Sequence, residues 1–126
     1  MRLPRVTKRR IFVATLVALS VAWFGWRASN PGRPFNAVAW CDPDQVRRGV
    51  RLGMADRLVA QDTLRGKARS EVIKRLGKPS DEGYFREWDL VYWLGPERSY
   101  ISIDSEWLVL RLGRDDRVTE YRVVRD

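Results

Sequence analysis

The rhythm of hydrophobic and polar positions changes three times along the chain. From Ile11 to Trp26 there is no alternation: sixteen residues pass without a charged side chain, the pattern of a helix that is apolar on every side. Arg27 to Pro34 (RASNPGRP) then breaks every periodicity and reads as a linker. Beyond it a helical spacing begins. Asp42-Pro43-Asp44 supplies an N-cap with Pro at the first turn, and a helix over 43–64 would align Val46, Val50, Met54, Leu58 and Gln61 on one stripe. Gly49 and Gly53 weaken that helix and open it to a break, so its firmest part is 52–64. From Gly66 to Pro79 the signals are sharper: a turn glycine, a short amphipathic helix with Val72, Ile73 and Leu76 toward the core, a cationic last turn, Gly77 and a terminating Pro79.

From Tyr84 the period drops to two. Trp88, Leu90, Tyr92 and Leu94 alternate against Glu87, Asp89, Val91 and Trp93 until Gly95-Pro96 ends the run. A second strand spans about 103–112, with Leu108, Leu110 and Leu112 opposite Trp107, Val109 and Arg111. Gly113-Arg114-Asp115-Asp116 is turn chemistry leading into a third strand over 117–124, so the last two strands should form an antiparallel hairpin. The order is α-α-β-β-β. It predicts an α+β fold: a two-layer αα-βββ domain with a three-stranded antiparallel sheet, preceded by an N-terminal transmembrane helix.

Charge makes the apolar run more specific. The first 34 residues carry seven Arg or Lys and no Asp or Glu, and five of these (Arg2, Arg5, Lys8, Arg9, Arg10) directly precede Ile11. That layout explains much of the net charge of +8 as membrane topology, so no nucleic-acid partner is expected: the rest of the chain is nearly neutral. The expected organisation is a cytoplasmic basic segment over 1–10, a transmembrane helix over 11–26, a linker over 27–34 and a domain over 35–126. The location is then a single-pass inner membrane with the domain periplasmic. The alternative is a signal peptide cut after Ala22, where Ser20 and Ala22 meet the small-residue requirement. Both export the domain. As a helix the run covers about 24 Å, short of a hydrocarbon core of ~30 Å; Trp23 and Trp26 stand where indoles favour the interface.

Composition narrows the chemistry. There is no His, and Cys41 is the only Cys, so neither a His-based triad nor a structural zinc site can be built, and no internal disulfide can form. Cys41 reads as a partly buried, unreactive thiol, with an intermolecular disulfide as the alternative. Val38-Ala39-Trp40 before it is not a lipid-attachment motif. A carboxylate pair drawn from Glu87, Asp89, Asp104 and Glu106 is the remaining catalytic option; a solvated sheet face explains these residues better, and neither catalytic residues, metal ligands nor a cofactor are expected. Two binding surfaces stand out. Trp93 and Trp107 would share the sheet face opposite the Leu108 stripe, with Arg111 nearby, as an exposed hot spot unless the stretch from Phe35 to Trp40 covers it. Arg47, Arg48, Arg51 and Arg57, mostly off the apolar stripe of their helix, would make a face for an anionic surface.

The run Leu64 to Pro79, then Trp88-x-x-x-Tyr92-x-Leu94-Gly95, then Asp104-x-Glu106-Trp107-Leu108 and a last strand after an Asp-rich turn, resembles the BamE/SmpA/OmlA domain over about residues 52–124. That resemblance implies an αα-βββ domain of the bacterial envelope, tied to outer-membrane assembly, that binds envelope proteins and anionic lipid without catalysis.

Overall fold

The computed structural model describes residues 8–29 and 32–126, in two units divided between residues 31 and 32. The described residues of the first unit form one helix, α1 (Lys8–Ser29). Its uninterrupted apolar run carries no proline. Its two hydroxyls fold back onto the helix: Thr15 Oγ1 donates to the Ile11 carbonyl at 2.9 Å and Ser20 Oγ to the Leu16 carbonyl at 2.8 Å. Among the described residues, no helix is long and apolar enough to cross a membrane. Residues 1–7 of the basic segment and residues 30–31 of the linker lie outside the described residues.

The second unit opens at Gly32, three residues earlier than the spacing predicts, because Arg33 already donates its amide to the Gly53 carbonyl at 2.9 Å. The helical stretch over 43–64 is broken, as its glycines lead one to expect, into two helices, and a further short one precedes them. Helix α2 (Ala37–Cys41) is capped by Asn36, whose side chain accepts from the Ala39 amide at 3.0 Å. Helix α3 (Pro43–Arg47) is capped by Asp42, which accepts from the Asp44 amide at 2.9 Å. Helix α4 (Val50–Ala60) starts after Gly49, and Gly49 at φ +81° is the reason for the break: a left-handed residue cannot continue a right-handed helix. The expected stripe survives the break, with Val46, Val50, Met54 and Leu58 all buried, but Gln61, at the C-cap of α4, is exposed. Helix α5 (Arg69–Leu76) ends at Gly77 as its punctuation demands.

The sheet is antiparallel in the order β1 (Leu90–Pro96), β2 (Ser105–Leu112), β3 (Val118–Arg125), as the alternation predicts. Its inner face packs on the helices. Trp40, fully buried, donates its indole N–H to the Leu76 carbonyl at 2.8 Å, Tyr92 its hydroxyl to the Gly77 carbonyl at 2.9 Å, and Tyr121 its hydroxyl to the Leu58 carbonyl at 2.8 Å. Each large aromatic thus brings its polar atom to a carbonyl at a helix end, and desolvation pushes the Tyr92 phenol up to about 12, against a weaker pull from Arg51. Gly95, at the register shift in β1, lets sheet and helices close up: a Cβ there would stand 3.1 Å from the Gly49 Cα.

The outer face carries a second cluster of Trp88, Val91, Trp107 and Val109. Trp88 belongs to it and not to the helix side, because the strand begins only at Leu90 and Trp88 lies in the preceding loop. The stretch from Phe35 to Trp40 does not cover this face. Phe35 and Trp40 join the helix-side core, and the loop carrying Tyr84, Phe85 and Trp88 covers the outer face instead.

Candidate functional site

The expected exposed tryptophan pair does not form. Trp107 is 2% exposed: Tyr84 stacks on it with centroids 5.1 Å apart, Phe85 meets it edge-on at 6.1 Å, and its indole N–H donates to Asp126 at 3.1 Å. Trp93, its cross-strand neighbour, is half-buried. Arg111 lies back against the sheet face. Its guanidinium lies 4.5 Å from the Trp88 ring centroid, and that of Arg122 lies 5.1 Å from the same ring. The structure therefore brings Trp93, Trp107 and Arg111 to one face but seals the middle of it.

The arginine face is divided as well. Arg47 pairs with Asp44 in solvent at 3.4 Å, and Arg48 lines a groove of about 700 Å³ with Arg33, Gln45, Gly49, Val50 and Gly53. Arg57 borders a different groove of about 310 Å³ beside Arg75 and Phe35. Arg51 is no surface group: it donates to the Trp40 carbonyl at 2.8 Å and to the Trp93 carbonyl at 2.9 Å, and desolvation holds its guanidinium below the ordinary arginine value. It ties α2 to β1. Cys41, expected partly buried, is exposed on α2.

The candidate carboxylates are not brought together. Asp89 accepts from the Leu112 amide at 2.7 Å, whereas Glu106 pairs with Gly95 at the other end of β2; six residues of strand separate these levels by ~20 Å, too far for paired acid chemistry. Among the described residues no group of three or more His, Cys, Asp or Glu could hold a metal ion.

No local spacing signals what Glu106 does. It is 3% exposed and sits at the base of the β1–β2 loop, where Arg98 donates to it from its backbone amide (3.2 Å), Nε (2.8 Å) and NH2 (3.1 Å). The same guanidinium pairs with Asp56 of α4, and Arg125 bridges Glu106 (3.6 Å) and Glu97 (3.0 Å). Burial alone would raise the Glu106 carboxyl, but the hydrogen bonds and charge of Arg98, helped by Arg125, outweigh it and hold the group below its ordinary range. Above this lock the loop spends its serine hydroxyls on its own backbone: Ser99 and Ser102, both exposed, donate to the Ile101 and Glu97 carbonyls at 2.7 Å each. Tyr100 is fully exposed, with Ile101 65% and Ile103 82% exposed.

Set against known proteins, the chain matches no family model, no curated protein and no solved structure.

Proposed function

We propose that the chain is a membrane-tethered, non-catalytic interaction module: α1 is held in a bilayer, the basic residues before it stay on the cytoplasmic side, and the domain from Gly32 onward meets an envelope protein on the other. The observation that carries this reading is the surface of α1. Its large side chains from Ile11 to Trp26 are each 50–67% exposed, on every side of a helix whose two hydroxyls bond internally. Such a surface is stable only when something apolar surrounds it. A run of ~24 Å meets a thicker core by local thinning and by snorkelling of its basic flank. The resemblance to the BamE/SmpA/OmlA domain supports an envelope partner. On the domain, Trp93 and the half-exposed Tyr84, with Arg111 close by, are the part of the outer face that a protein reaches; Trp107 supports them from beneath.

The test is alkaline extraction of membranes from cells making the full chain or a variant lacking residues 11–26. The full chain should stay in the pellet and the variant should leave it. Extraction of the full chain, or a mature mass that begins at Trp23, would overturn the tether. A photocrosslinker at position 93 should capture an envelope protein, and no capture there would overturn the interaction role.

A second reading rests on the Arg33–Arg48 groove, whose lining contains no acidic residue: an anionic lipid headgroup would neutralise it. Charge reversal at Arg48 should then remove a salt-sensitive part of vesicle binding. Binding that ignores both salt and Arg48 would dismiss this role.

A further inference from the structure

The apolar loop has a neighbour that suggests what covers it. Gly32, where the folded domain begins, lies flat on α4: a Cβ there would collide with the Gly53 carbonyl oxygen and stand 3.2 Å from the Asp56 Cβ. Asp56 is the residue whose carboxylate holds Arg98, with Arg98 Nη2 donating to Asp56 Oδ1 at 3.1 Å, and Arg98 leads directly into Ser99-Tyr100-Ile101. The point where the chain enters the domain and the base of the exposed loop are thus joined through one side chain. Gly32 also stands only six residues after Trp26, a length that covers at most ~22 Å fully extended.

We propose that Tyr100, Ile101 and Ile103 insert into the headgroup region of the same bilayer that holds α1, docking the domain on the membrane by its tethered end. The inference rests on the tether proposed above, and three features of the loop fit it. Its serine hydroxyls are taken up by its own carbonyls while three large apolar side chains stand in solvent, more than a loop built for water would show. Its base is fixed by the Arg98 pairs to Asp56 and Glu106 and by the Glu97 amide donating to the Asp104 carbonyl at 2.9 Å, so the backbone that presents the three side chains needs less ordering at contact. The cations at the base of the loop, Arg98 and Arg125, are engaged by carboxylates, and Asp104 is exposed. The contact of the loop itself is therefore apolar and interfacial, distinct from the Arg33–Arg48 groove, and does not draw on anionic lipid. Tyr100 places an amphipathic ring where such rings favour the boundary.

The test uses the full chain with Cys41→Ser, reconstituted in phosphatidylcholine vesicles containing nitroxide-labelled lipid, with one fluorophore at Ala22→Cys, Ile101→Cys or Arg114→Cys. Position 114 lies in the β2–β3 turn, at the far end of a strand of eight residues, ~26 Å away. Quenching should be strong at 22, several-fold stronger at 101 than at 114, and unchanged when anionic lipid is added. Tyr100→Asp with Ile103→Asp should bring 101 down to the level of 114 and leave 22 untouched; both residues are exposed, so the fold is preserved. Strong quenching at 22 with 101 no different from 114 overturns this inference alone and leaves the loop to a protein partner. No quenching at 22 overturns the tether and the docking together.

Discussion

On one face of the sheet, Leu90, Tyr92, Leu94, Leu108 and Leu110 lie under helices that bring their own apolar side chains; on the other, Val91, Trp107 and Val109 lie under a loop without regular structure. The helix side closes by interdigitation, with three aromatic polar atoms tied to helix-end carbonyls. The loop side closes by stacking: Tyr84 on Trp107, Arg111 and Arg122 on Trp88. The difference explains how a small domain accommodates so many aromatics. A three-stranded sheet has two faces to cover, the short helices cover one, and flat rings with guanidinium lids cover the other using little chain. The two sides also differ in closure: the helix side buries its aromatic rings, while the loop side keeps a partly open rim at Tyr84 and Trp93.

The comparison breaks first at its largest expected effect. Trp40→Ala removes a fully buried ring and its hydrogen bond to the Leu76 carbonyl, and should cost about 3–5 kcal/mol in chemical denaturation. Trp88→Ala on the loop side should cost about 2–3 kcal/mol, since its cover is two mobile-stemmed arginines that can close over the gap. A Trp88 cost equal to that of Trp40 would show that the loop-covered face is as much a core as the helix-covered one.

The inner face also has an end that is not apolar. Glu106→Ala should cost about 2 kcal/mol, below the full penalty for breaking a buried pair, because Arg98 and Arg125 keep access to water. Glu106→Gln isolates the charge. A carboxyl held below its ordinary value of 4.5 adds stability that is present above that pH and is lost as pH falls through the depressed folded value. The wild-type advantage over Glu106→Gln should therefore be full at neutral pH and shrink below pH 4.5. A difference that stays constant into acid would mean that Glu106 acts by shape alone.

How much of this could be read in advance follows the range of the interactions. The β2–β3 hairpin was legible in Gly113-Arg114-Asp115-Asp116, and α5 in its Gly77-x-Pro79 stop, because turn and cap chemistry lies within a few residues. The Leu108-Leu110 face was legible because strand geometry fixes a period of two. Trp88 was assigned to the wrong face by extending that period beyond where β1 begins. The Asn36 cap of α2 had a visible signal that the longer periodicity after Pro43 overshadowed. The Arg98 lock had none: Asp56 stands 42 positions from Arg98, and only the packing of α4 on the sheet brings them together. The same holds for Arg51, whose half-burial depends on carbonyls contributed by α2 and β1.

Tyr84→Ala sharpens the loop side at a smaller scale. The ring is half exposed and stacks on Trp107, so its loss should cost about 1 kcal/mol in stability and weaken capture of a partner at position 93. A partner contact that survives while stability falls would move the binding rim away from Tyr84.

The smallest effect tests the place where the sheet end has no cover at all. Ile101→Ser with Ile103→Ser removes two β-branched apolar side chains that touch water in the folded domain, 65% and 82% exposed. Apolar groups exposed in both the folded and unfolded chain have no burial to lose, so the double variant should leave stability within about 0.5 kcal/mol of wild type in denaturant titrations of detergent-solubilised protein. A loss beyond 1 kcal/mol would mean that the loop packs back on the domain and belongs with the loop-covered face. Neutral stability separates these isoleucines from Trp40, Trp88 and Tyr84, whose removal costs folding energy. Their hydrophobicity is then of use only to a surface outside the domain, and the lock that holds them in place, Glu106 with Arg98 and Asp56, stabilises their presentation as well as the fold.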